Sequence, residues 1–185
     1  MSTTLRLSIQ EYEGMIERGV FDRIERRIEL IRGELRETSP AGPVHDELIA
    51  YLTRWSISVT LAEPIAIRIH SGLDLPEQES RPEPDVLWVD ARRYFDRHPL
   101  AIEVHLAIEV ANSSLQYDLS EKAALYAEAG VHEYWIVDAK ALCIHSFVNP
   151  HHGVYQLQQT FAKGSNLAPT RLPKAVLNIS DLFDS

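Results

Sequence analysis

One cysteine, Cys143, in a chain of 185 residues leaves nothing for an intramolecular disulfide and nothing for a multi-thiolate metal cluster. Glycine is scarce, at eight residues, and no phosphate-cradling P-loop, dinucleotide fingerprint or G-x-S-x-G elbow occurs. No apolar run approaches the ~20 residues that span a bilayer. The opening MSTTLRLSIQEYEG has no apolar stretch of the kind that directs secretion. A cytoplasmic location and no membrane partner are the expectations that remain. Positive charge is also short: 18 Lys and Arg against 27 Asp and Glu give a net charge of −9. The segment richest in arginine, Arg18 to Arg36, interleaves its arginines with Asp22, Glu25, Glu29 and Glu34. That balance argues against tight, non-specific binding to polyphosphate, which usually needs a basic surface. A protein that meets phosphate through bound cations, a dimeric cleft or a partner stays compatible with it.

What is present is enough apolar sequence, 45% of residues, for one domain with a substantial core. The expectation is a single domain over 1–185, with an N-terminal extension 1–42, a core 43–148 and a tail 149–185. Ser8 and Glu11 form a capping-box pattern at the head of a short helix over 8–19, with Gly19 as its stop. Residues 26–37 alternate apolar and charged about Arg32-Gly33, as a β-hairpin does. Ser39-Pro40-Ala41-Gly42-Pro43 breaks the pattern, and Leu48, Ile49, Leu52 and Trp55 set the period of a helix over 44–58. IAIRIHSGLDL reads as a half-buried strand, 76–84 as a loop, and DVLWVD (85–90) and LAIEVAN (106–112) as strands. A helix over 118–129, opened by an Asp118/Glu121 capping box and closed by Gly130, precedes the strands 133–138 and 142–147. Beyond Pro150 the pattern predicts irregular chain as far as Ile179. This order is that of an α/β domain around a mixed sheet, with LAIEVA and YWIVD central and covered on both faces.

Glu109 is the most informative residue, because a carboxylate inside LAIEVA costs several kcal/mol (roughly) unless a cation or donors meet it. A structural ion pair with an arginine would satisfy it as well as a metal. Lys122 is one of four lysines and falls on the inward face that Leu119, Ala123 and Tyr126 define. It either meets a buried partner there or snorkels its ammonium to water along apolar surface. Asp85 opens a strand after Pro84, a place where aspartate also serves as a plain turn residue. Together, two carboxylates and a backbone carbonyl make the hard-oxygen set that Mg²⁺ accepts. A metal-bound water with a neighbouring ammonium is the equipment of phosphodiester hydrolysis. Elsewhere, the adjacent His151-His152 do not share a metal from a regular element, and Cys143 in LCIHSF reads as core filling.

Pro84-Asp85 followed by Glu109-Val110-Ala111 resembles the PD-(D/E)XK nuclease signature. The wider run, from GELRETSPAGPVH through EPDVLWV and LAIEVANSS to DLSEKAALYAEAGVHEYWIVD, resembles the Uma-type family of restriction-endonuclease-like proteins over about residues 25–140. The resemblance implies a restriction-endonuclease-like core, a central mixed sheet flanked by helices, preceded by the N-terminal helix and hairpin. It implies a Mg²⁺- or Mn²⁺-dependent endonuclease acting on DNA as a homodimer, with Asp85 and Glu109 as metal ligands and Lys122 catalytic. The short signature places its lysine where this chain has Ala111, so Lys122 would be a migrated equivalent. By the same resemblance Glu34 and His45 face the site; a solvated hairpin residue and a helix-start residue are their ordinary readings. A nuclease-like fold that has lost catalysis and serves as a binding module is the alternative, favoured by the acidic balance and by Ala111.

Overall fold

The computed structural model describes residues 4–38 and 42–184. Helix α1 (Ile9–Glu17) is capped as its sequence predicts. The Glu11 N–H donates to Ser8 Oγ at 3.2 Å, and the Glu11 carboxylate accepts the Ser8 N–H at 2.8 Å. Strands β1 (Ile28–Ile31) and β2 (Glu34–Glu37) form the expected hairpin. Its turn residues, Arg32 and Gly33, take φ of 51° and 76°, the left-handed pair that a two-residue connection requires. Of the break expected over 39–43, residues 39–41 lie outside the described residues. Pro43 sits in the first turn of α2 (Pro43–Thr60), where its missing N–H costs nothing.

The centre is a six-stranded mixed sheet in the order β3 (Ile65–Ile69), β4 (Val86–Asp90), β5 (Val104–Ala111), β6 (Glu133–Asp138), β7 (Cys143–His151), β8 (Val154–Ala162). Neighbours are antiparallel except β5 and β6, which run parallel. A parallel pair needs a crossover. Here it is one helical run: α3 (Leu115–Tyr117), a π-helical segment (Asp118–Lys122) and α4 (Ala123–Ala129), ended by Gly130 at φ 81°. A small pair, β9 (Asn166–Leu167) with β10 (Leu177–Asn178), and α5 (Ile179–Phe183) complete the chain.

Each face of the sheet carries its own core. Leu106, Ile108, Val110, Trp88, Trp135 and Val137 pack beneath α2 and the C-terminal segment. Ala107, Ala111, Leu87, Tyr134 and Ile136 pack beneath α4 and the loop that brings in Leu73 and Leu75. The alternation along β5 therefore decides which residues meet which layer, as the two-residue period of a strand requires.

Three expectations are corrected. The crossover helix begins at Leu115, not Asp118, and Asp118 caps nothing. It lies inside the run, 2% exposed, and its Oδ2 accepts the Ser114 hydroxyl at 2.6 Å. An aspartate three residues before a glutamate mimics a cap in sequence, and the wider π turn turns it inward. The strand IAIRIHSGLDL ends at Ile69, because His70 takes a left-handed φ of 45° and the chain leaves the sheet to deliver Leu73 and Leu75 to the core. Finally, the supposedly irregular chain past Pro150 continues β7 to His151 and returns as β8 through His152-Gly153, at φ of 49° and 75°. An edge strand exposed along most of its length has no apolar alternation by which to recognise it.

Candidate functional site

Antiparallel register brings the two carboxylates together. Val86 lies opposite Ile108 and Leu87 opposite Ala107, so the residue before Val86, Asp85, falls beside Glu109. The Val110 N–H closes that end of the strand pair by donating to Asp85 Oδ2 at 2.8 Å. Glu109 faces the crossover helix, and its same-face neighbours on β5 are Ala107 and Ala111, whose small side chains leave room for long ones from above. Into that room comes Lys122, 4% exposed, donating to Glu109 Oε1 at 2.7 Å and Glu29 Oε1 at 3.3 Å. Tyr126, one turn further along, donates its hydroxyl to the same Glu109 oxygen at 3.1 Å. Glu29 is itself held on β1 by the Glu83 N–H at 2.8 Å.

Around Asp85 the donors are imidazoles. His45 Nε2, from the first turn of α2, stands 3.4 Å from Oδ2, and His70 Nε2 stands 3.2 Å from Oδ1. Arg27 is further off, at 3.9 Å from Oδ1. Asp85, Glu109, Lys122, Glu29, His45 and Arg27 line a cavity of ≈ 300 Å³, whose wall also includes Arg36, Tyr117 and Asp118, while His70 and Tyr126 stand outside it.

The electrostatics separate the carboxylates. Burial pushes Asp85 up, but His45, His70 and the Val110 N–H outweigh it and hold the carboxyl below its ordinary range. Burial drives Glu109 the other way, well above the usual carboxylate range; Lys122 opposes this while Asp85, Asp118 and Glu29 reinforce it. Burial also raises Asp118. Desolvation would lower Lys122, yet Glu109, Glu29 and Asp118 hold its ammonium well above the ordinary lysine value. His45 is raised, chiefly by Asp85.

A hard divalent cation fits this donor set. Glu29, Asp85, Glu109 and Asp118 are each no more than 6% exposed, and Lys122 is the one equally buried ammonium among the described residues. So much like charge is costly to bury without a compensating cation. Both protein donors to Glu109 use Oε1; among the described residues none donates to Oε2. An all-oxygen arrangement with a free carboxylate oxygen suits Mg²⁺ or Mn²⁺ rather than a thiophilic metal.

Of the residues singled out in sequence, Asp85, Glu109, Lys122 and His45 are brought together. Glu34 is not. It lies at the turn end of the hairpin, half-exposed, and pairs with Arg36 at 2.8 Å and Arg6 at 3.9 Å. The inward hairpin carboxylate is Glu29, which its charged-and-apolar surroundings had made look like one more solvent-facing residue. His70 was hidden within an apparent strand and Asp118 behind an apparent cap.

A mixed six-stranded sheet with a parallel centre, helices on both faces and this carboxylate–lysine cluster is the restriction-endonuclease-like α/β fold. The chain belongs to the Uma2 family, described as "Putative restriction endonuclease", whose family model matches residues 9–180. A solved structure of a protein described as "a putative nuclease belonging to DUF820", from Anabaena variabilis ATCC 29413, shares the fold at a TM-score of 0.77. It is 14% identical, over 96% of this chain and 97% of that one. No curated protein matches the chain. No helix among the described residues is long and apolar enough to cross a membrane.

Proposed function

We propose that this protein is a Mg²⁺- or Mn²⁺-dependent endonuclease that hydrolyses phosphodiester bonds of DNA. The observation that carries this reading is the buried contact of Lys122 with Glu109 beside Asp85, in a family of nuclease type. Lys122 thereby meets the carboxylate that the missing lysine at Ala111 would have served.

Asp85 and Glu109 would hold the cation, which lowers the pKa of a bound water and polarises a phosphoryl oxygen. Lys122 orients the attacking water and meets negative charge as it develops on phosphate. Its own position is set by Glu29 and Glu109, and Tyr126 fixes the rotation of the Glu109 carboxylate. His45, favoured in its protonated form by Asp85, sits on the cavity wall and is suited to a phosphate oxygen. Arg27 on the same wall supplies local positive charge that the acidic chain lacks as a whole, while Arg36 beside it is paired with Glu34 and Glu121. Two copies related by a two-fold axis would cut both strands of a duplex. The cytoplasm is the compartment that suits such an enzyme.

The net charge of −9 favours a second reading, a catalytically inactive binding module for nucleic acid or protein. Plasmid nicking with Mn²⁺ or Mg²⁺ separates the two. The wild type should cleave, and Glu109→Gln and Lys122→Ala should each lose at least about 100-fold while keeping the wild-type circular dichroism. Equal cleavage by wild type and folded Glu109→Gln would refute the assignment; binding without cleavage by any form would favour the module.

A further inference from the structure

Three strands away from β3, the same face of the sheet carries a second group of metal-binding side chains. Asp138 ends β6 and lies directly opposite Cys143, the first residue of β7; His145, two residues on, returns to that face. One ligating atom from each residue lies within 4.8 Å of the others. Cys143 Sγ is 3.8 Å from His145 Nε2, and Nε2 is 3.9 Å from Asp138 Oδ2. None of the three lines the cavity of Asp85 and Glu109.

In the sequence alone, Cys143 reads as core filling. Cross-strand register changes that description, because it sets Cys143 and His145 beside a carboxylate five residues upstream of Cys143 through a tight connection.

We propose that Asp138, Cys143 and His145 form a binding site for a borderline divalent cation, of which Zn²⁺ is the natural occupant. Tetrahedral zinc with thiolate, imidazole and carboxylate ligands has ligand-to-ligand edges of about 3.3–3.6 Å. Two of the edges are 3.8 and 3.9 Å and the third is no more than 4.8 Å, so side-chain rotations moving the atoms by about 1 Å close the set.

Two features point to a ligand rather than to packing. Asp138 is 5% exposed, and its Oδ1 is anchored by the N–H groups of Lys140 and Ala141, both at 2.9 Å. Its Oδ2 accepts no hydrogen bond from the described residues and points at the His145 ring. His145 Nδ1 is 2.9 Å from Thr160 Oγ1 on β8. A hydrogen bond at Nδ1 orients the imidazole, and with Nδ1–H as its donor the Nε2 lone pair faces the cluster, the usual outer support of a metal-bound histidine.

The donor chemistry sets this site apart from the oxygen-only one. A thiolate and an imidazole select Zn²⁺ over Mg²⁺, which prefers carboxylates and water. Binding releases the Cys143 thiol proton to solvent, and the partly exposed His145 edge gives the ion a way in. Three protein ligands leave a fourth position for water. The ion would tie β6 to β7 across their connection, where Leu142 takes a left-handed φ of 54°.

Cobalt substitution tests the site without reference to any activity. Metal-free protein in a non-thiol reductant is titrated with Co²⁺. The expected result is a thiolate-to-cobalt charge-transfer band that saturates at one equivalent, bleaches on adding Zn²⁺ and ignores excess Mg²⁺. Cys143→Ser should abolish the band and Glu109→Gln should retain it. Should Cys143→Ser fail to fold, His145→Gln serves instead, with the band lost or its affinity cut at least tenfold. No band in the wild type, a band that survives Cys143→Ser in folded protein, or one lost in Glu109→Gln alone would overturn the proposal.

Discussion

The two faces of the central sheet are built from the same strands to opposite ends. On β5, Leu106, Ile108 and Val110 enter a dry layer of Leu, Ile and Trp beneath α2, while Ala107, Glu109 and Ala111 turn toward the crossover helix. The α2 side is closed by Trp55, whose ring lies 5.4 Å from that of Trp88 and 6.0 Å from that of Trp135. The opposite side buries Glu29, Asp85, Glu109, Asp118 and Lys122 within one cluster. The first arrangement spends apolar area on stability, and the second accepts like-charge crowding, which costs stability unless a cation compensates it. The α2 side should therefore fix stability and the crossover side activity.

The strongest break of that comparison is at Trp88, fully buried and donating its Nε1–H to Ser56 Oγ at 2.9 Å. Trp88→Ala should cost about 3–5 kcal/mol in denaturant unfolding, with refolded protein still binding Mn²⁺. Metal binding lost in fully folded Trp88→Ala would show that the faces are not separable.

Glu109→Gln is the reciprocal change. Its unfolding free energy without metal should stay within about 1 kcal/mol of wild type, because Glu29 still faces Lys122 and one crowding carboxylate is gone. In the wild type, Mn²⁺ at a hundred times its dissociation constant should add about 2.7 kcal/mol, and in Glu109→Gln nothing. Thermal melts with and without Mn²⁺ read both numbers. A Mn²⁺ stabilisation that persists in the variant would move the cation elsewhere.

The smallest effect concerns a carboxylate with its own arginine. Glu103, at the head of β5, accepts two bonds from Arg97, at 2.6 and 2.8 Å. The Arg97 hydrogen bonds hold its carboxyl down at about 2, against the opposing effect of burial. A depressed folded value means stability that is complete above the ordinary glutamate value, near 4.5, and lost as pH falls toward 2. Glu103→Gln should therefore narrow the gap to wild type as pH drops through that window, by less than the salt-bridge geometry suggests, since the pair is near solvent. Parallel acid-unfolding curves for the two proteins would remove Glu103 from the account.

Periodicity and local chemistry made much of the fold legible. The Ser8–Glu11 cap, the Arg32-Gly33 turn, the apolar strands at 106–111 and 133–138 and the Gly130 stop are short-range features, and each stands in the structure. Glu109 announced itself because a charge in an apolar run is conspicuous. Lys122 did so because Leu119, Ala123 and Tyr126 mark the inward face around it, although the cap that seemed to fix the helix phase is not formed. Glu29, His70 and Asp118 stayed hidden because each has an ordinary local use: hairpin surface, strand and cap. The edge strand β8 stayed hidden because exposure on both sides erases alternation.

By itself, then, the sequence determined which segments bury apolar surface, the turn at Arg32-Gly33 and the stop at Gly130, and that Glu109 and Lys122 sit where burial is costly. Those are properties of neighbours along the chain. Only the tertiary structure decided that Asp85 lies beside Glu109, that the hairpin offers Glu29 rather than Glu34, and that Asp138, Cys143 and His145 converge. Those depend on strand register and on a π turn in the crossover helix, where a shift of one residue sends a side chain to the other face.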